Sequence, residues 1–235
     1  MKSNLKTKTK LTMSKEGILL VDKPKDKTSF YLVHVLRKIT GVRKIGHAGT
    51  LDPLATGVMV MLIGSNYTKK TPLLIGHSKG YETTLLLGKV SDTYDIQGIV
   101  TEVSSKIPTL EDIQAALTNF QGKISQIPPM FSAKKIDGHK LCDLARKGIV
   151  VERKPVELEV STKVISYDYP YLKLSIECSS GTYVRSIAHD LGLLLKTGAL
   201  VYELTRIRSG PFNLNECTPL EEINPENISN LLRIT

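Results

Sequence analysis

Residues 172–178 alternate without a break: Leu172, Leu174, Ile176 and Cys178 fall on one face, Lys173, Ser175 and Glu177 on the other. A two-residue period of that length is the mark of a strand with one buried face. Gly181 ends the period. Val184, Ile187, Ala188, Leu191, Leu194 and Leu195 then recur at helical spacing, and Gly198 closes that stretch. One strand followed at once by one amphipathic helix already calls for a fold in which sheet and helix share a core.

The rest of the chain repeats this mixture without a regular βαβ period. Residues 17–22 (GILLVD) predict a buried strand stopped at Lys23-Pro24. Thr28 or Ser29 can cap a helix running to Thr40, with Leu32, Leu36 and Ile39 on one face and Gly41 at its end. Val58–Ile63 predicts a second buried strand and residues 80–88 a third, followed by a polar loop, Ser91–Gly98. Thr109-Leu-Glu-Asp opens a helix carrying Ile113, Ala116, Leu117 and Phe120, ended by Gly122. Thr218-Pro219 reads as an N-cap with proline at the first position of a short terminal helix. The pattern predicts an α+β fold with a mixed sheet and leaves its topology open.

Charge narrows the class of partner. The chain has 235 residues, 32 Lys+Arg against 23 Asp+Glu, and a formal net charge of +9. Five of the lysines lie in residues 1–15, read as a basic disordered tail; without them the balance is 27 to 23. Arg37, Lys38, Arg43 and Lys44 fall within eight residues, and Lys134, Lys135, Lys140, Arg146 and Lys147 form a second cluster. Such clusters are either solvated faces or the footprint of a polyanion, and two of them beside glycine-rich loops favour the polyanion. No apolar run approaches the ~20 residues of a membrane helix. Cys142, Cys178 and Cys217 are an odd, widely spaced set that fits a reducing compartment rather than a disulfide framework or a zinc site. With His34, His77, His139 and His189 they form no metal-ligand spacing. The expectation is a cytoplasmic protein with no membrane partner and no metal.

Residues 46–57, Gly-His-Ala-Gly-Thr-Leu-Asp-Pro-Leu-Ala-Thr-Gly, hold the most information. Pro53 turns Asp52 away from the helical region, so the carboxylate is presented from an extended or turning backbone between two structured elements. A plain Asp-Pro turn, with Asp52 bonding its own loop, would have the same sequence. Neither a phosphate-binding Gly-Lys-Ser/Thr loop nor a Gly-x-Gly-x-x-Gly dinucleotide motif is present.

GHAGTLDPLATG resembles the signature motif of the tRNA pseudouridine synthases that modify the T-loop uridine. DKPKDKTS (22–29) resembles that family's opening motif, and Tyr81 falls in its KxY-type strand. IPPMFSAKKIDGHKLCDLARKG (127–148) resembles its RNA-contacting segment, SSGTYVRSIAHDL (179–191) its arginine motif and LTRIRSG (204–210) its closing motif. The match runs in order over residues 16–215. Asp26 departs from the family's glycine. Residues 216–235 form a short helical extension, too short for the complete PUA domain of some relatives.

The resemblance implies a pseudouridine-synthase-like sheet, mixed but mainly antiparallel, flanked by helices and RNA-binding loops. It implies conversion of a tRNA T-arm uridine (position 55) to pseudouridine: the base is flipped, N1–C1′ is cleaved and C5 is joined to C1′. Asp52 is then the catalytic carboxylate, attacking C1′ or assisting elimination. Arg185 braces it as a cation and Tyr81 stacks on the base and serves in proton transfer. Leu204 is an apolar wall, His47 acts in RNA binding and flipping, and Lys23 supports the site. Arg43 and Lys44 are taken as phosphate contacts. Isomerisation needs no cofactor, and a monomer without an obligatory protein partner is expected. Two alternatives remain: an RNA-folding module without chemistry, and the related guide-RNA-dependent synthases.

Overall fold

A computed structural model describes residues 16–234; the basic tail, residues 1–15, lies outside them. The apolar runs do what continuous hydrophobicity predicts, entering a sheet buried on both faces. In strand β1 (Gly17–Lys23), Leu19 and Val21 join the main core while Ile18 and Leu20 pack into a smaller cluster behind it. Strand β3 (Thr56–Ile63) is divided likewise, with Met59, Met61 and Ile63 on one side and Val58, Val60 and Leu62 on the other. The two pair antiparallel from Gly17 opposite Ile63 to Lys23 opposite Gly57.

Ten strands form the main sheet. The others are β2 (Ile45–His47), β4 (Lys79–Leu87), β5 (Gly122–Gln126), β6 (Val156–Asp168), β7 (Tyr171–Cys178), β8 (Ala199–Ser209), β9 (Phe212–Asn213) and β10 (Thr218–Pro219). Their order is β10-β1-β3-β8-β4-β7-β6-β5, with β2 added to β3 and β9 to β8. Pairing is antiparallel except for β10 on β1 and a two-residue parallel contact of β3 with β8, Thr56 to Thr205 and Gly57 to Arg206. That brief contact is the seam between the two halves of the sheet. It admits only glycine at position 57, where φ is +100° and an added Cβ would stand 2.3 Å from the Arg206 carbonyl oxygen.

Helix α1 (Ser29–Thr40) is capped by Thr28, whose hydroxyl accepts from the Tyr31 N–H at 3.0 Å, and ends at left-handed Gly41. Helix α2 (Leu110–Leu117) opens on a reciprocal Thr109/Asp112 capping box. Helix α3 (Val184–Leu195) buries Val184, Ile187, Ala188, Leu191 and Leu195 on the sheet. The second lysine cluster sits on a small ribbon, Lys135–Ile136 with His139–Lys140, followed by a helical turn, Leu141–Ala145, anchored by fully buried Leu141. Thr218-Pro219 does not start a helix. It is strand β10, parallel to β1, and a single 3-10 turn, Leu220–Glu222, follows it. Proline is tolerated there because β10 is at the sheet edge. Among the described residues no helix is long and apolar enough to cross a membrane.

Candidate active site

The loop between β2 and β3 is built more firmly than an exposed turn. Buried Ser29, at the start of α1, donates its hydroxyl to the Leu51 carbonyl and accepts from the Leu51 N–H, both at 2.9 Å. The Pro53 carbonyl accepts from the Asp26 N–H at 2.8 Å and from Lys23 Nζ at 3.1 Å. Lys23 Nζ also donates to the carbonyls of Pro24 and Lys27, so a fully buried ammonium ties together the opening motif and the loop. Burial pushes it down to about 8, although Asp26 and Asp52 oppose that shift. Asp26 adopts φ +62°, the left-handed conformation to which glycine is suited, and its carboxylate accepts from Gln97 Nε2. The departure from the family's glycine therefore keeps the glycine-like backbone.

Held this way, Asp52 turns its carboxylate onto Arg185. Arg185 Nε donates to Asp52 Oδ2 at 2.8 Å; the arginine side chain is 5% exposed and the aspartate 37%. The guanidinium is spent on three segments at once: Nη1 donates to the Thr93 carbonyl at 3.0 Å and Nη2 to the Phe131 carbonyl at 2.9 Å. A second carboxylate, buried Asp95, stands 3.7 Å from Arg185 Nε. Asp95 is held by Thr93 Oγ1 and the Gln97 N–H. Arg185 sits at the N-terminal end of α3, where the helix dipole disfavours a cation, and the two carboxylates offset that. Gln126, at the end of β5, fixes this end of the helix by bonding both the N–H and the carbonyl of Tyr183.

Asp52, Arg185, Tyr81 and Leu204 line one cleft of about 340 Å³, together with Lys79 and Arg206. Tyr81 and Arg206 are direct cross-strand partners on β4 and β8, and Leu204 opposes Thr83 two positions along. Burial holds the Tyr81 phenol above its ordinary range, while the adjacent Arg206 works the other way. His47 is on β2 opposite Met61 and is not in the cleft wall. Its Nδ1 is buried without a hydrogen-bond partner, and burial, then Arg206, keeps the imidazole neutral at lower pH than usual. Arg43 and Lys44 are exposed one short strand away from the cleft, and Lys23 lies behind the loop. Thus the structure brings four of the eight expected residues to one cavity and sets His47, Lys23, Arg43 and Lys44 around it. Among the described residues no three His, Cys, Asp or Glu side chains gather into a metal-binding group.

A family model described as TruB family pseudouridylate synthase (N terminal domain) matches residues 37–184, and one described as tRNA pseudouridylate synthase B C-terminal domain matches 185–230. The chain belongs to the TruB family of pseudouridylate synthases. The tRNA pseudouridine synthase B of Protochlamydia amoebophila (strain UWE25) is 59% identical over 208 residues, 88% of this chain and 79% of that protein. The protein of the same name from Clostridium acetobutylicum is 44% identical over 91% of this chain and 74% of its own length. Among solved structures, a chain of a Cbf5-Nop10-Gar1 complex superposes with a TM-score of 0.71 at 26% identity, over 92% of this chain and 59% of that one. A chain of an H/ACA RNP bound to a substrate RNA containing 2′-deoxyuridine gives 0.65 at 25%, over 88% and 52%. This chain therefore spans only a little over half of those solved chains. The sheet is of the TruB kind, α+β and mainly antiparallel.

Five residues around this TruB-family cleft escaped sequence reasoning. Ser29, Asp95 and Gln126 act through backbone groups or a carboxylate far away in sequence, so no local spacing reveals them. Lys79 and Arg206 stood inside quoted motifs, the KxY-type strand and LTRIRSG, but a lone charged residue in a strand gives no sign of being buried.

Proposed function

We propose that the chain isomerises a uridine in the T-loop of tRNA, position 55, to pseudouridine, acting in the cytoplasm as a monomer without a protein partner. The chemistry is assigned to residues 16–215. One observation carries the reading: a partly exposed carboxylate, Asp52, paired at 2.8 Å with a buried guanidinium, opens into a cleft that is also lined by the Tyr81 ring and Leu204.

The uridine must leave its stack to enter, at a cost of a few kcal/mol that stacking on Tyr81 offsets. Leu204 closes the apolar wall. Breaking N1–C1′ builds positive charge on the anomeric carbon, and the Asp52 carboxylate meets it there, either by attack on C1′ or by assisting elimination. Arg185 holds that carboxylate in one orientation. After the ring turns, C5 bonds to C1′ and the C5 proton is passed off beside the Tyr81 hydroxyl. The change is internal to the nucleotide, so neither oxidant nor cofactor enters. The relatives named tRNA pseudouridine synthase B support tRNA as the RNA class.

Incubating the protein with unmodified tRNA transcript and mapping pseudouridine tests the reading: product at the T-loop uridine supports it, and tight binding without product defeats it. Asp52→Asn is expected to abolish turnover with RNA affinity within about threefold of wild type. Substantial residual turnover would show that another group performs the chemistry.

A further inference from the structure

The cleft wall formed by β4 and β8 carries two cations that the mechanism above leaves idle. Lys79 is 5% exposed and Arg206 1%. Lys79 Nζ donates to the Ile75 carbonyl at 3.2 Å and the His77 carbonyl at 2.5 Å. An ammonium has three protons, so one remains to be placed. Arg206 Nε donates to the Val58 carbonyl at 2.8 Å, and Nη2 to the Gly49 carbonyl and the Met59 sulfur. Its Nη1 lies on the side of Gly49, and Arg206 also hydrogen-bonds the Tyr81 phenol. A Cβ at Gly49 would lie 3.5 Å from that Nη1 and 3.8 Å from Lys79 Cε, so both cations reach the same patch of the cleft. Among the described residues neither has a carboxylate oxygen within 4.0 Å.

Buried cations without a counter-charge are costly, and proteins keep them where a negative charge arrives or develops. The other buried cations of the region are accounted for. Arg185 faces Asp52 and Asp95, and Lys23 uses all three protons on carbonyls.

We infer that Lys79, with Arg206, stabilises the uracil anion released when the glycosidic bond breaks, and is a catalytic residue. The inference rests on the proposed isomerisation at Asp52. On either route the electron pair of N1–C1′ leaves with the base and spreads from N1 to O2 and O4. The sugar carbon takes its pair from the Asp52 carboxylate, or by elimination from its own C2′–H bond. C5 then bonds to C1′ as the Asp52–C1′ ester bond breaks or, on the elimination route, as C2′ regains the proton that Asp52 removed; the C5 proton then departs, and N1 takes one up. Nothing is gained or lost. The cleft is thus polarised along the breaking bond, with a carboxylate at the sugar end and two cations at the base end.

The titration of Lys79 gives the inference a readout that a merely structural lysine lacks. Burial, then Arg206, pushes it down to about 8. Arg208 acts in the same direction, while the Cys178 thiol, itself pushed up to about 11 by burial, acts against it. Glu177 pairs with Arg208, the Tyr81 phenol stays neutral, and the exposed His77 lends Lys79 only its carbonyl. Lys79 is therefore charged below about pH 8 and loses its charge as the pH rises through it.

The experiment is single-turnover conversion of unmodified tRNA transcript, with enzyme in excess, followed against pH for wild type, Lys79→Met and Lys79→Arg. Wild type is expected to slow as pH rises past about 8. Lys79→Met should be slower by about 10²-fold at neutral pH, the loss typical of one donor to a developing anion, with RNA affinity within about twofold. Lys79→Arg should recover most of the rate and lose the alkaline limb, since arginine does not titrate there. Three results each overturn the inference: Lys79→Met within about threefold of wild type, Lys79→Arg as slow as Lys79→Met, or an alkaline limb that persists in Lys79→Arg, which would belong to Lys23. Should Lys79→Met fail to fold, the comparison of wild type with Lys79→Arg decides the matter. A wild type that makes no pseudouridine at any pH is a different result and defeats the proposed function itself.

Discussion

The Ser29 hydroxyl occupies the place of a strand partner for Leu51, satisfying both backbone groups of the residue before Asp52. Ser29→Ala leaves a buried N–H and a buried carbonyl unpaired, a cost of about 1–3 kcal/mol. The expected outcome is a lower melting temperature and a reduced kcat with RNA affinity unchanged, because the loop loses its fixed height over Arg185 while the RNA-facing surface stays as it was. An unchanged kcat would mean that Lys23 and Asp26, at Pro53, suffice to hold the loop. The sequence offered Thr28 and Ser29 as equal candidates to cap α1. Thr28 takes the cap, and Ser29 is freed for the loop. Nothing local distinguishes them, since both are small hydroxyl residues and the partner of Ser29 is 22 positions away. Asp52 was legible because a proline follows it in a glycine-rich stretch, whereas Asp95, the second carboxylate near Arg185, lies in a loop that reads as merely polar.

Elements with an unbroken period were legible nearly to the residue: β7, expected at 172–178, is Tyr171–Cys178, and α3 fills the span from Val184 to Leu195. The long strands β6 and β8 were not. Each contains irregular register, between Val164 and Ser166 in β6, and between Val201 and Glu203 and again between Arg206 and Arg208 in β8. A bulge shifts every later side chain to the opposite face, so apolar residues fall out of the two-residue count. Leu204 and Arg206 lie two positions apart in the regular stretch between the two irregularities of β8 and so share one cleft wall, but an arginine on the buried face hides that period from a count of apolar residues. The seam where β8 meets β3 depends on Gly57, and Gly57→Ala combines a left-handed backbone with a clash against the Arg206 peptide. It is expected to cost about 2 kcal/mol or more in denaturant unfolding. Gly46→Ala, whose Cβ would meet only the Thr68 methyl at 3.5 Å, is expected to cost less than about 1 kcal/mol. Equal losses in the two variants would show that β3 and β8 can part without harm.

At the scale of the molecule, the excess of positive charge has a direction. Arg37, Lys38, Arg43 and Lys44 are all exposed where α1 turns into β2, the strand that leads to the Asp52 loop. Lys134, Lys135, Lys140, Arg146 and Lys147 are exposed on the ribbon and helical turn that follow Ser132 and Ala133, two residues of the cleft wall. Both clusters therefore adjoin, along the chain, segments that line the cleft. A polyanion bound at the cleft is expected to meet them. Its affinity then falls with salt as counterions compete, with a slope of about one unit of log K per phosphate contact. Replacing Arg43 and Lys44 together by Ala should weaken tRNA binding and flatten that slope by about two units if each residue meets a phosphate. The single-turnover rate on fully bound RNA should be unchanged, since neither side chain lines the cleft. Titrations of wild type and the double variant at several salt concentrations measure the difference directly. An unchanged slope would place the RNA on the side of the second cluster alone, and the charges at the end of α1 would then be a solvated face.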